Sequence, residues 1–147
     1  MSICIRPVTS LDDTLAAQLA RLVPQLAPAA AVPTAEALRR VAAGPSTVLF
    51  VAFGGERAVG MLTLAWYDTP TGRKAWIEDV VVDASARGCG AGEALVREAV
   101  AHAARCGAGR VTLTSSPRRE AARALYRKMG FEAVETTVFA RKTESEK

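Results

Sequence analysis

The glycine-rich segment Arg87-Gly88-Cys89-Gly90-Ala91-Gly92 contains residue types that bind phosphate groups. It lies between an apolar stretch that predicts a β-strand and a pattern that predicts a helix. A helix that begins here leaves its first amide N–H groups unpaired, and these groups, together with the helix dipole, favour an anion. Glycines allow the backbone to approach a phosphate closely, and Arg87 adds a positive charge with bidentate geometry. The segment therefore predicts an anion-binding turn.

Two common phosphate-binding motifs do not fit this segment. The motif GxxxxGK(S/T) requires a Lys followed by Ser or Thr, and no such pair follows here. The dinucleotide motif GxGxxG requires a small sixth residue, but that residue is Glu93 counting from Gly88 and Leu95 counting from Gly90. A plain strand-to-helix turn also explains three glycines, so the segment alone leaves that alternative open.

The apolar patterns place this turn within a mixed α/β fold. Strands are predicted over residues 3–8, 47–53, 58–67, 76–82 and 110–114. Helices are predicted from a Ser10 cap to Val23 before Pro24, from a Thr34 cap to about Val41, over 93–105, and from Ser116-Pro117 to Met129. We expect residues 68–74 to form a polar loop and residues 131–141 to supply one or two closing strands. Residues 76–114 predict a parallel strand–helix–strand unit in a central mixed sheet flanked by helices.

Composition predicts one domain of 147 residues with a frayed tail at 143–147. The net charge of +4 fits ordinary solubility and also suits an anionic ligand. Cys4, Cys89 and Cys106 are odd in number and far apart, so we expect neither a disulfide framework nor a metal site, and a cytoplasmic location. No apolar run approaches ~20 residues, so we expect no membrane span. The N-terminus does not resemble a secretory signal.

Two segments resemble the motifs of the GNAT N-acetyltransferase superfamily. The first is Val80 to Gly92 (VVVDASARGCGAG), which matches (Q/R)-x-x-G-x-(G/A) after an apolar strand. The second is Glu120 to Phe131 (EAARALYRKMGF), which is similar to A-x-x-(L/F)-Y-x-x-x-G-F. Two motifs in the right order and spacing are more specific than either alone. They cover residues 76–131, and the order of elements extends the resemblance to the whole chain.

The resemblance implies acetyl-CoA as the acyl donor, with no metal. Backbone groups of Val80, Val81 and Val82 would hold the pantetheine arm as an added strand, and the amides of Arg87 to Gly92 would hold the pyrophosphate. The strands 76–82 and 110–114 splay apart in the family, with the thioester in the gap. Ser116 stands where many relatives carry an Asn that contacts the cofactor, although it equally suits a helix cap. Arg123, with its neighbours Arg118 and Arg119, would lie near the adenosine end or on a solvated helix face.

The resemblance also implies direct attack of a primary amine on the thioester. A carboxylate accepts the amine proton, and Glu78 and Asp79 are the candidates. Glu78 is preferred, because residues 76–82 are similar to the corresponding strand of glucosamine-phosphate N-acetyltransferases. Alternation places the two on opposite strand faces, so only one faces the substrate unless a bulge intervenes. Tyr126 is the candidate general acid for the thiolate, since its reference pKa of about 10 keeps it protonated at neutral pH.

Other functions are open at this point. A non-catalytic acyl-CoA-binding module would keep the glycine-rich turn without the acid–base pair. Nucleic-acid binding has no zinc ligand set or RNA-binding aromatic signature to support it. The acceptor is expected to be a small-molecule amine, or a peptide, that contacts residues 25–33, residues 68–74 and the last strands. Arg73 and Lys74 hint at an anionic acceptor. Dimers are common in the family, and the residues do not decide the oligomeric state.

Overall fold

The computed structural model of the protein describes residues 1–145. Its strands are β1 (Ile3–Val8), β2 (Thr47–Gly54), β3 (Arg57–Thr69), β4 (Gly72–Val82) and β5 (Val111–Thr112). Its helices are α1 (Asp13–Leu26), α2 (Ala35–Ala43), α3 (Ala91–Arg105) and α4 (Glu120–Lys128), and a 3-10 turn spans Ala84–Ala86. The predicted elements are therefore present in the predicted order, apart from the closing strands.

One mixed sheet carries all five strands in the order β1-β2-β3-β4-β5. The first four strands pair antiparallel, whereas β5 runs parallel to β4 after the α3 crossover. The β4–β5 ladder has two residue pairs, Ala75 with Val111 and Trp76 with Thr112. Beyond Trp76, β4 therefore has no further described ladder pair with β5, and β4 and β5 separate.

Apolar cores cover both faces of the sheet. On one face, α3 packs through Leu95, Val96 and Ala99 against side chains of β2 and β3. On the other face, α1 and α2 pack through residues such as Leu19, Leu22 and Leu38. Because helices cover both faces, β2 and the start of β3 read as continuous apolar runs, as expected for central strands.

The boundaries of α1 differ from the sequence prediction at both ends. The cap is Asp12, whose carboxylate accepts a hydrogen bond from the Leu15 amide at 2.8 Å, and Ser10 lies outside the helix. Pro24 lies within the last turn and does not end the helix. A proline lacks an N–H and its ring crowds the carbonyl four residues earlier, but hydrogen bonds beyond it can still form, and the Ala27 amide donates to the Val23 carbonyl at 2.9 Å. The helix therefore reaches Leu26.

The predicted polar loop over residues 68–74 is instead a tight hairpin between β3 and β4. The Thr69 hydroxyl donates to the Gly72 carbonyl at 3.1 Å, and Gly72 adopts φ 127°, which closes the turn. Arg73 donates to both carboxylate oxygens of Asp68 at 2.7 and 2.9 Å. This pair spans the hairpin, so Arg73 and Lys74 belong to β4.

The C-terminal third is less regular than predicted. β5 covers only Val111–Thr112, and α4 begins at Glu120 rather than at Ser116. Residues 113–119 form an irregular connection in which the Ser116 carbonyl accepts from the Arg119 amide at 3.0 Å. No strand forms over residues 131–141, where Val138 and Phe139 are 68% and 91% exposed. This segment lacks a partner strand, because a two-residue β5 offers almost no ladder to extend. Residues 146 and 147 of the predicted frayed tail lie outside the described residues.

Candidate active site

A pocket of about 270 Å³ occupies the gap where β4 and β5 separate. One wall comes from the middle of β4, and the opposite wall comes from the chain that leaves β5. The end of α1 and one side chain of α4 complete it. Its lining residues are Leu26, Ala27, Ile77, Glu78, Asp79, Val80, Leu113, Thr114, Ser115, Arg119 and Tyr126. The splayed strands implied by the family resemblance are therefore present, and all three predicted acid–base residues border the space between them.

A β-bulge in β4 brings both carboxylates to this pocket. Met61 and Thr63 of β3 have one residue between them, whereas their partners Val81 and Glu78 have two. Asp79 lies in this extra length with φ 53°, and no other non-glycine residue between 1 and 145 has a positive φ. A bulge reverses the alternation of the strand. Glu78 and Asp79 are therefore both exposed and both border the pocket, where an unbroken strand would have separated them.

Tyr126 enters the pocket from α4. Its ring packs edge-on against Phe131, with the ring centroids 5.9 Å apart. Burial raises the pKa of Tyr126 above its ordinary 10.0, and the Arg119 guanidinium acts weakly in the opposite direction. The phenol is therefore protonated at neutral pH and is able to donate a proton or a hydrogen bond into the pocket.

Ser115 is an additional polar residue of the pocket. Its hydroxyl oxygen is buried and has no hydrogen-bond partner within the described part of the chain. An unsatisfied buried hydroxyl costs free energy, about 1–3 kcal/mol, so it marks a place where a ligand atom would be favoured. Ser116, the residue predicted for this role, is exposed, and its hydroxyl accepts from the Arg118 amide at 3.3 Å.

The glycine-rich turn forms the start of α3 beyond this pocket. Gly88 and Gly90 adopt φ 84° and 82°, and a Cβ on either would meet nothing within 4 Å. These glycines permit the left-handed backbone and leave open space above it. The first intrahelical hydrogen bond runs from the Ala94 amide to the Gly90 carbonyl at 3.0 Å. The three preceding helix amides therefore have no partner within the helix, which is the feature of a helix start that favours an anion.

Glu93, in the first turn of α3, would repel an anion at this helix start. Its carboxylate accepts from Lys128 at 2.9 Å and from Arg97 at 2.9 Å. The Lys128 ammonium holds the pKa of Glu93 below its usual range. The two cations therefore compensate the negative charge locally and tie α3 to the end of α4.

The remaining predicted cofactor residues divide between core and surface. Val80 lines the pocket, and Val81 and Ala91 are buried in the cores. Arg87 is exposed, and Arg123 is half-buried and lies outside the pocket lining. Val82 and Cys89 are half-buried against the core under α3. Sequence reasoning missed Ser115 and assigned Arg119 no place in the pocket. A serine or arginine in a loop carries no pattern, and only the separation of β4 and β5 brings them inward.

A second cavity, of about 410 Å³, lies beside the β1–α1 connection. Three of its polar side chains already have structural partners. Asp12 caps α1, Gln18 accepts from the Ala58 amide at 2.8 Å, and Arg6 stacks 4.3 Å above the Phe53 ring centroid. Although it is larger, its lining contains none of the predicted site residues, so the candidate active site is the pocket between β4 and β5.

Two other kinds of site find no support in the described residues. Among residues 1–145, no three His, Cys, Asp or Glu side chains are grouped as metal ligands would be. Over the same range, no helix is both long and apolar enough to cross a membrane.

The sequence matches the acetyltransferase (GNAT) family over residues 17–131. The chain therefore belongs to this family, and it is an acyl-CoA-dependent N-acetyltransferase. No curated protein matches it. The most informative solved structures include an acetyltransferase from Trypanosoma brucei, which is 27% identical with a TM-score of 0.77, over 96% of this chain and 100% of that chain.

Two further structures share the fold at lower identity. An aminoglycoside acetyltransferase from an uncultured soil metagenomic sample, in complex with sisomicin, is 22% identical with a TM-score of 0.82, over 96% of this chain and 95% of that chain. Glucosamine-6-phosphate N-acetyltransferase from Arabidopsis thaliana is 21% identical with a TM-score of 0.77, over 98% of this chain and 99% of that chain. The similarity extends over almost the whole chain, which confirms the predicted fold.

Proposed function

We propose that the protein transfers an acetyl group from acetyl-CoA to a primary amine of a small molecule, by direct attack in a ternary complex. The observation that carries this proposal is the pocket between β4 and β5, which brings Glu78, Asp79 and Tyr126 together. Proton acceptors and a proton donor around one space are the groups that acyl transfer to an amine needs.

The residues present fit acetyl-CoA. Beyond Trp76, β4 has no described ladder pair on the β5 side, so its backbone groups there are available to an extended pantetheine arm. Ser115 lines the same gap, and its buried hydroxyl, a donor and an acceptor, has no partner among the described residues. The open space over Gly88 and Gly90 at the start of α3 suits the pyrophosphate. Acetyl-CoA supplies the thioester on which the amine acts.

Proton movements in this proposal use residues of the pocket. Glu78 removes a proton from the attacking amine, either directly or through a water, as the amine nitrogen bonds to the acetyl carbon. A backbone N–H near Val80 stabilises the oxyanion that forms. Tyr126 gives its proton to the sulfur as the carbon–sulfur bond breaks. The products are the acetylated amine and CoA, and bulk water restores the protonation of Glu78 and Tyr126.

The acceptor is proposed to be a small cationic amine. The carboxylates of Glu78 and Asp79 are exposed, border the pocket and attract a protonated amine before it is deprotonated. Arg73, once a reason to expect an anionic acceptor, is engaged by Asp68 and by the Cys106 carbonyl at 2.7 Å. The structural neighbours named for aminoglycosides and for glucosamine-6-phosphate make amino sugars the first compounds to assay. Three free cysteines suit the cytoplasm, where acetyl-CoA is available.

The test is an acceptor screen with acetyl-CoA. Purified protein is incubated with acetyl-CoA and a panel of amino sugars, aminoglycosides, polyamines, amino acids and peptides, and free CoA thiol and acetylated product are measured. We expect amine-dependent CoA release, with initial-rate lines that intersect when both substrates are varied. Parallel lines would indicate an acyl-enzyme and contradict direct attack. Binding of CoA without release for any amine would support the non-catalytic module instead.

A further inference from the structure

Asp83 is the one polar or charged residue between 1 and 145 that is buried, with 7% of its surface exposed. It follows β4 directly and precedes the 3-10 turn that leads into the glycine-rich segment. Its backbone N–H donates to the Val59 carbonyl at 2.7 Å, which fixes it to β3. Its carboxylate accepts from the Ser85 hydroxyl, and the Arg57 guanidinium lies 3.6 Å away. The entry to the glycine-rich turn is therefore anchored at one residue.

Gln25, in the last turn of α1, holds this anchor from outside the strand–helix–strand unit. Its Nε2 donates to the Asp83 carboxylate at 2.6 Å, and its Oε1 accepts from the Ala84 amide at 2.9 Å. Both atoms of one side-chain amide are thus used on adjacent residues of the turn. Gln25 also immediately precedes Leu26 and Ala27, which line the pocket between β4 and β5.

The turn that follows has few other internal restraints. Between Asp83 and the start of α3, the backbone contacts are the Ala86 amide to the Asp83 carbonyl at 2.9 Å and the Cys89 amide to the Ala86 carbonyl at 3.4 Å. Arg87, Gly88 and Gly90 are exposed. Ala86 is also buried in the core and Cys89 is half-buried against it, so the Gln25 bonds add to this packing by holding the first residues of the turn.

We propose that Gln25 is a positioning residue for the cofactor: it orders the Asp83–Gly90 turn in the free protein so that its amides are arranged for the pyrophosphate before CoA arrives. This inference rests on the proposed use of acetyl-CoA. Ordering a binding loop in advance raises affinity, because the ligand no longer bears the loss of conformational freedom. A side-chain amide suits the task, since it donates to Asp83 and accepts from Ala84 at once.

Substitutions at residue 25 separate these two bonds. Gln25→Ala removes both. Gln25→Glu keeps an acceptor for the Ala84 amide but replaces the donor with a carboxylate beside that of Asp83, which adds repulsion. Gln18→Ala is the matched control, because Gln18 also lies on α1 and also accepts from a sheet amide, that of Ala58, at 2.8 Å. Its one hydrogen bond within the described residues goes to Ala58 and not to the turn.

Binding of CoA and of pantetheine, which lacks the pyrophosphate, is then compared by calorimetry and ligand-observed NMR. We expect Gln25→Ala to raise the Kd for CoA by about three- to tenfold, the worth of one ordinary hydrogen bond, and Gln25→Glu to raise it further. We expect both Gln25 variants to keep the wild-type Kd for pantetheine. We expect Gln18→Ala to keep the wild-type Kd for CoA. Unchanged CoA binding in Gln25→Ala, or equal weakening for CoA and pantetheine, would overturn the proposal.

Amide hydrogen exchange of the ligand-free proteins tests directly whether Gln25 orders the turn before CoA binds. We expect faster exchange over residues 84–90 in Gln25→Ala and Gln25→Glu, with α3 and the sheet unchanged, and wild-type exchange there in Gln18→Ala. Equal exchange in all four proteins would overturn the ordering role of Gln25. If the wild-type protein binds no CoA while the exchange difference is present, the proposed function fails and the ordering of the turn by Gln25 stands.

Discussion

Gly92 in the first turn of α3 lies directly against Leu125 of α4, because a Cβ at residue 92 would stand 3.2 Å from the Leu125 Cδ2. The third glycine of the turn is therefore explained by close helix packing rather than by room for a phosphate. Tyr126 follows Leu125, so we expect a displacement of Leu125 to shift the phenol in the pocket.

Gly92→Ala tests this contact. The added methyl group must push Leu125 aside, so we expect a lower kcat and an effect on stability that depends on residue 125. In a double-mutant cycle with Leu125→Ala, measured by urea denaturation, we expect a coupling energy of about 0.5–3 kcal/mol. Gly109→Ala, at a position where a Cβ meets nothing within 4 Å, is the control. Strictly additive effects of the substitutions at residues 92 and 125 would show that the packing explanation is wrong.

Tyr126→Phe removes the proposed proton donor while keeping the ring that packs against Phe131. We expect kcat to fall by about 100-fold, which is typical for loss of a general acid or base, with little change in the melting temperature. Because burial raises the pKa of Tyr126 above 10.0, the wild-type enzyme should keep this function up to at least pH 10. Wild-type kcat in the variant would remove Tyr126 from the mechanism.

Substitutions of the adjacent residues Ser115 and Ser116 are expected to have opposite effects on stability and on CoA affinity. Ser115→Ala removes a buried hydroxyl that has no partner in the described chain, so stability should stay equal or rise while affinity for CoA and pantetheine falls several-fold. Ser116→Ala removes a hydroxyl that accepts from the Arg118 amide, so it should affect the connection before α4 and leave affinity unchanged. Thermal melts with and without CoA compare the two. Weaker CoA binding in Ser116→Ala alone would restore the prediction made from the sequence.

Asp83 makes stability depend on pH. Hydrogen bonds from Gln25 and Ser85 hold the pKa of Asp83 below its ordinary 3.8. A depressed folded-state pKa means that the stabilisation is fully present above 3.8 and is lost as the pH falls through the folded-state value. Asp83→Asn should therefore lose about 2 kcal/mol of unfolding free energy at pH 7, and the difference from wild type should shrink below pH 3.8.

Asp68→Asn is the control for this pH dependence. Arg73 also lowers the pKa of Asp68, but this pair lies in solvent, where an ion pair contributes little. Urea denaturation at pH 7 and pH 3 should show a much smaller loss for Asp68→Asn than for Asp83→Asn. Equal losses at both pH values for Asp83→Asn would indicate a packing role without an ionised carboxylate.

The parts of the fold that follow periodic patterns were predictable. Alternating or continuous apolar runs predicted β1 over the same residues as observed, Ile3–Val8. They also predicted the ends of β2, β3 and α3 to within two residues of the observed ends. The glycines before α3 predicted an anion site that is neither a phosphate loop nor a dinucleotide motif. The resemblance of residues 120–131 to a second GNAT motif made CoA the expected ligand, and this assignment stays a prediction. Each of these elements buries one or both of its faces, so its apolar residues recur at the spacing of a strand or a helix.

The rest depends on contacts between distant residues. Nothing in the residues 76–82 shows where β4 bulges, because the bulge is defined by its register with Met61 and Thr63. The predicted closing strands over 131–141 contain β-branched and aromatic residues, but a strand needs a partner ladder and β5 has two residues to offer. The Gln25–Asp83 contact joins residues 58 positions apart, and neither residue lies in a motif that marks such a pair.

The bulge leaves two carboxylates beside the pocket, and we propose that Glu78 accepts the amine proton there. The most direct measurement is kcat/KM for amine-dependent CoA release by wild type, Glu78→Gln and Asp79→Asn at the same pH. We predict that Glu78→Gln lowers kcat/KM by about 100-fold, while Asp79→Asn causes a much smaller loss. Wild-type kcat/KM in Glu78→Gln would contradict this role, and a loss of that size in Asp79→Asn alone would assign the base to Asp79.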